Sequence, residues 1–146
     1  MHDLVSIVIP CYNHEKYIDS CIQSIINQSY DNIELLICDD CSPDSSYEKL
    51  LAWKPELEKR FPRVEIYRNE KNQGVCKNLN ELINRAQGDF IKTLASDDML
   101  RPNAISDYVD FARTTEFDIA FSNAYVIGEN DFYPIDEQVE RKKAYN

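Results

Sequence analysis

The chain has 146 residues, 26 of them acidic and 16 basic, for a net charge of −10 and a pI near 4.6. That length suits one domain with a real core, and 43% hydrophobic and 11% aromatic residues are globular rather than disordered proportions. The charge argues against nucleic acid or an anionic membrane as the main partner. Three glycines (Gly74, Gly88, Gly128) stand too far apart for a dinucleotide fingerprint or a Walker-type loop. There is no apolar run of membrane-helix length, and the start lacks the regions of a signal peptide.

In chain order, "LVSIVIP" is a β-branched run that reads as a strand buried on both faces and ends at Pro10. Asn13 is placed to cap a helix carrying Tyr17, Ile18, Cys21, Ile22, Ile25 and Ile26 at helical spacing up to Gln28. "IELLICDD" is a second buried strand ending in acids. Ser42–Ser46 form a turn, and Asp44 or Ser45 caps a helix with Tyr47, Leu50 and Leu51 that Pro55 is expected to end or kink near Trp53. "VEIYRN" is a third strand and "EKNQG" a loop, followed by a helix from about Val75 to Ala86 stopped by Gly88. "DFIKTLA" is a fourth strand and "SDDMLRP" its loop, with Pro102 in the first turn of a helix reaching about Arg113. "FDIAFSNAYVI" gives a fifth strand or a strand pair. Beyond Gly128 the chain turns polar, and Glu137–Ala144 reads as a surface helix. Alternating strands and helices predict an α/β fold with a mostly parallel sheet and helices on both faces.

The five cysteines include a C-x-x-C pair, Cys38 and Cys41. No second spaced pair completes a zinc site, and the neighbouring aspartates raise thiol pKa values rather than lower them. Structural, reduced thiols are the favoured reading, and a metal or redox role the alternative.

The acids have addresses. Asp39 and Asp40 follow the second strand, Asp97 and Asp98 the fourth, and Asn13 the first. In an open α/β sheet, ligands bind beyond the carboxyl ends of the strands where strand order reverses. If the order is 3-2-1-4, Pro10–Asn13, Asp39–Asp40 and Asp97–Asp98 line one cleft. Carboxylates crowded together repel, and a hard divalent cation relieves that. A magnesium-type ion takes one or two protein carboxylates and completes its shell with water and phosphate. The pattern therefore points to a diphosphate held through metal. The competing reading is that aspartates merely cap helices and turns.

"VSIVIPCYNHEKYIDSCIQSIINQSYDNIELLICDDCSPDSS" and "NQGVCKNLNELINRAQGDFIKTLASDD" together resemble the amino-terminal half of the family 2 glycosyltransferases of A-type fold, over about Leu4 to Val126. The resemblance implies a Rossmann-like nucleotide-diphospho-sugar transferase fold. It places Pro10, Tyr12 and Asn13 near the nucleotide base. Asp40 takes a base or ribose hydrogen bond, with Asp39 beside it. Asp98 contacts Mg²⁺ or Mn²⁺ directly, and Asp97 the ribose or a metal-bound water. Lys77 and Asn80 match a helix where the family often has a basic residue and an asparagine. Two departures stand out: Ala95 replaces the first acid of the family's metal motif, and Leu79 stands where many members carry arginine.

The implied reaction is inverting transfer of a sugar from a nucleotide-diphosphate donor, a UDP-sugar by family habit, to an acceptor hydroxyl. It belongs to cell-surface polysaccharide or glycolipid synthesis. Such transfer needs a neutralised leaving group, a general base and alignment. No base is assignable within the chain; the resemblance places it beyond Asn146. The expectation is thus a donor-binding domain over 1–128 and a polar tail, or the truncated start of an acceptor region, over 129–146. The expected location is cytoplasmic, with membrane contact only through parts outside this chain, and the acceptor is a saccharide or lipid-linked. A non-catalytic nucleotide-sugar or partner-binding module is the alternative. His14 reads as a surface residue at a helix start, Lys92 as snorkelling on the sheet, and Trp53 as a cover over its edge.

Overall fold

The computed structural model describes residues 3–115, 119, 120, 122, 125–127 and 132–134. The chain divides into two compact units, Met1–Thr114 and Thr115–Asn146.

The first unit is built on four parallel strands, β1 (Val5–Cys11), β2 (Ile33–Asp39), β3 (Arg63–Arg68) and β4 (Phe90–Thr93), in the order β3-β2-β1-β4. That is the order the acid pattern presupposed. Helices α1 (Ile18–Ile26), α2 (Ser46–Arg60), α3 (Val75–Arg85) and α4 (Ala104–Thr114) connect and follow the strands. β1 and β2 are central, so their side chains are buried on both faces, which is why both read as unbroken apolar runs. On one face Ile7, Ile9, Leu35 and Ile37 pack with Ile22 and Ile25 of α1, Leu50 and Leu57 of α2, and Ile105 and Val109 of α4. On the other face Val8, Leu36 and Cys38 meet Leu82, Leu79 and Ile83 of α3.

Three local expectations change. Asn13 does not cap α1. It sits in the left-handed region at φ 58°, and the helix starts only at Ile18, after a turn closed by Tyr17 N–H on the His14 carbonyl (2.9 Å). Pro55 does not end α2, which runs on to Arg60. An interior proline costs a helix about 3 kcal/mol. Here Leu57 and Phe61 beyond it are fully buried, and Arg60 donates to the carbonyls of Ile26, Gln28 and Tyr30, so tertiary contacts outweigh that penalty. Gly88 does not terminate α3, whose cap residue is Ala86. Its role is close approach: a Cβ there would lie 2.6 Å from Ser6 Oγ and 2.8 Å from the Leu4 carbonyl oxygen.

In the second unit, β5 (Tyr125–Ile127) pairs antiparallel with β6 (Phe132–Pro134). The rest of the expected fifth strand lies largely outside the described residues, as does the expected helix Glu137–Ala144. Among the described residues no helix is long and apolar enough to cross a membrane. The five cysteines are free. Burial pushes the Cys11 thiol up to about 11 and those of Cys21 and Cys38 up to about 12, the behaviour of packed rather than reactive thiols.

Candidate functional site

All four strands end at one edge. Cys11 pairs with Asp39, Asp39 with Arg68, and Val8 with Thr93. The loops after β1, β2 and β4 therefore lie side by side. The first is rigidly built. Asn13 N–H donates to Ser42 Oγ (2.9 Å), His14 N–H to Ser46 Oγ (3.0 Å) and Glu15 N–H to Asp44 Oδ2 (3.0 Å), while Ser45 N–H returns a bond to Glu15 Oε2 (2.9 Å). Asp44, read as a helix cap for α2, serves twice: its Oδ1 accepts from Ser46 N–H (3.0 Å) at the first residue of the helix, while its Oδ2 ties the two loops together. This holds Tyr12 with its ring 46% exposed at the strand end, after the half-buried Pro10.

The acids after β2 have divided duties. Asp40 is buried and its carboxylate is filled by protein donors: Asn69 Nδ2 (2.7 Å), Gln73 N–H (2.9 Å) and Gly74 N–H (2.8 Å). It shapes the β3–α3 loop, where Gly74 takes φ 85° before α3. Asp39 is fully buried. Its Oδ2 accepts from Ser42 N–H (3.0 Å) and lies 3.2 Å from Arg68 Nε, while its Oδ1 has no hydrogen-bond partner. A buried carboxylate oxygen without a donor is costly unless something fills it.

The loop after β4 presents Asp97 and Asp98 outward, and Asp98 N–H donates to the Ala95 carbonyl (3.0 Å) to close its turn. Partial burial, and next the charge of Asp97, raise the Asp98 pKa; Lys92 and His14 pull it down. His14 comes closer than the sequence suggested: its Nδ1 lies 2.8 Å from Ser96 Oγ and 3.8 Å from Asp97 Oδ1. Lys92 lies over the Tyr108 ring at 5.0 Å. Among the described residues no group of three or more His, Cys, Asp or Glu side chains is arranged to hold a metal ion. The Asp97–Asp98 pair fits an ion that draws most of its shell from water and phosphate oxygens, since crowding already favours a cation there.

Lys77 and Asn80 are exposed on α3. Leu79 packs into the small core under that helix, so it is a packing residue and offers no polar contact. Trp53 packs against the core, and its Nε1 donates to Asp19 Oδ1 (2.9 Å). The residues missed at sequence level are Ser42, Ser46, Asp44, Glu15 and His14 as a loop clamp. The available signal was topological: β1 neighbours both β2 and β4, so residues just after it must meet both loops.

Comparison with known proteins supplies the family. The model described as "Glycosyl transferase family 2" matches residues 6–143. Glycosyltransferase GlyG of Streptococcus pneumoniae serotype 4 is 32% identical over 131 residues, covering 90% of this chain and 42% of GlyG. The Escherichia coli UDP-Glc:α-D-GlcNAc-diphosphoundecaprenol β-1,3-glucosyltransferase WfgD is 32% identical over 127 residues, covering 87% of this chain and 48% of WfgD. Residues 1–349 of Staphylococcus aureus TarS, solved with UDP-GlcNAc, superpose with a TM-score of 0.68 at 26% identity, covering 76% of this chain and 31% of that one. The chain thus spans less than half the length of these relatives. The parallel α/β sheet, the acids at its carboxyl edge and the match over most of the sequence lead to one conclusion: the chain belongs to glycosyl transferase family 2.

Proposed function

We propose that this chain is the donor-binding part of a glycosyltransferase that moves a sugar from a UDP-sugar to an acceptor hydroxyl with inversion, using a divalent cation, in cell-surface polysaccharide or glycolipid synthesis. The observation that carries this reading is the placement of two acid pairs on either side of the β1 turn at one sheet edge. UDP-GlcNAc bound by TarS and the diphosphate-lipid acceptor of WfgD support the substrate classes. In this proposal Tyr12 offers its exposed ring to the base, with Pro10 and Asn13 shaping the turn beneath it. Asp39, buried beneath the turn with its Oδ1 unpartnered and its Oδ2 3.2 Å from Arg68 Nε, is the acceptor assigned to the base. Asp40 holds the loop that forms the floor of that pocket. Asp98 and Asp97 would hold Mg²⁺ or Mn²⁺, and Lys77, exposed on α3, is the cation assigned to the diphosphate. When bound, the cation neutralises the leaving diphosphate. The acceptor base lies outside residues 1–146, consistent with the share of the relatives that the chain spans.

Calorimetric titration with UDP and Mn²⁺ tests this. Binding that requires Mn²⁺ and falls at least tenfold in Asp98→Ala supports the donor site. No binding, or binding indifferent to that substitution, removes it.

A further inference from the structure

The turn that carries Tyr12 and the loop that carries Asp97 and Asp98 belong to different strands, and one side chain joins them. The backbone N–H of His14 is held by Ser46 Oγ at 3.0 Å, its ring meets Tyr17 edge-on at 5.9 Å between centroids, and its Nδ1 lies 2.8 Å from Ser96 Oγ. The backbone is therefore anchored once and the imidazole held by two contacts. Ser96 is only 2% exposed and directly precedes the acid pair. The turn from Ala95 to Asp98 closes around it. At 3.8 Å from Asp97 Oδ1, His14 is beyond hydrogen-bond reach and leaves that carboxylate free for other ligands.

We propose that His14, acting through Ser96, is a positioning residue that locks the acid loop against the β1 turn and so couples cation binding to nucleotide binding. This rests on the donor-site reading above. Groups that orient metal-binding loops from behind typically alter metal affinity 10- to 100-fold when removed. A purely structural residue would weaken nucleotide binding with and without metal alike. A coupling residue changes the ratio of the two.

The experiment measures the UDP dissociation constant of the 146-residue chain with Mn²⁺ and with EDTA, for the native sequence, His14→Ala, His14→Asn and Ser96→Ala. Thermal unfolding serves as a folding check. The expected result is a metal enhancement that shrinks about tenfold in His14→Ala and in Ser96→Ala, with the EDTA value unchanged. His14→Asn restores most of it, because the asparagine amide occupies the place of Nδ1. If His14→Ala fails to fold, Ser96→Ala, which deletes one buried hydroxyl, carries the test. An unchanged enhancement in the alanine variants, with native binding intact, overturns the coupling and leaves the donor site standing. Absence of UDP and Mn²⁺ binding in the native chain overturns both.

Discussion

At the scale of single residues, the buried charges decide most. Glu34 lies within β2 with its carboxylate 1% exposed, on the face that also carries Val8 and Leu36. It accepts hydrogen bonds from Ser6 Oγ, Arg63 Nη1, Gln87 N–H and Gly88 N–H. Burial pushes this carboxyl up, but the bonds from Ser6, Gln87 and Arg63, with Arg63's charge, outweigh it and hold the pKa below the ordinary value. A depressed folded pKa means stability that is present above the unfolded value and lost as pH falls through the folded one. Urea unfolding should therefore show stability declining below about pH 4.5. Glu34→Gln should lose about 3 kcal/mol at pH 7, since it leaves Arg63 without its buried partner, and should show a shallower acid decline. None of this was legible in "IELLICDD", where Glu34 reads as one polar residue in an apolar run. Its partners are 28, 29, 53 and 54 positions away in sequence. The four site aspartates were legible because they stand at or just beyond the carboxyl ends of β2 and β4, although β4 is only half-buried and stops at Thr93. The split between Asp39 and Asp40 was not, because it depends on the amides of Gln73 and Gly74.

At the scale of elements, the glycines separate two kinds of constraint. Gly88 has ordinary backbone geometry but no room, with Leu4 and Ser6 backbone atoms within 3 Å of a Cβ position. Gly74 has open space but φ 85°, which disfavours any side chain. Gly88→Ala should destabilise the fold by about 2–3 kcal/mol, because strand backbone must move apart. Gly74→Ala should cost only about 1 kcal/mol, by strain alone. Denaturant midpoints of the two variants give the comparison. Four strands and four helices of the first unit were legible from apolar periodicity. Element ends were less so, for reasons specific to each. α1 starts late because its leading loop bonds to Ser42 and Ser46. α2 outruns Pro55 because Leu57 and Phe61 have buried places to fill.

At the scale of the molecule, the net charge of −10 gains a partial explanation. Two acids hold loops or pair within the sheet edge, and two stand outward side by side, where the proposed cation would bind. The strand order β3-β2-β1-β4 turns motifs far apart in sequence into one edge. That order was inferable only conditionally, because alternation of strands and helices fixes parallelism but leaves order free. The central claim is that this edge binds a metal–nucleotide complex. Paramagnetic broadening by Mn²⁺ in the presence of UDP, read from amide resonances of the ¹⁵N-labelled chain, addresses it most directly. Amides of 12–14, 39–42 and 95–99 should broaden first. Those of Leu4, Asn32 and Gly88, at the other end of strands roughly 20 Å long, should stay sharp. Broadening centred on those distant amides, or none at any site, would contradict the account.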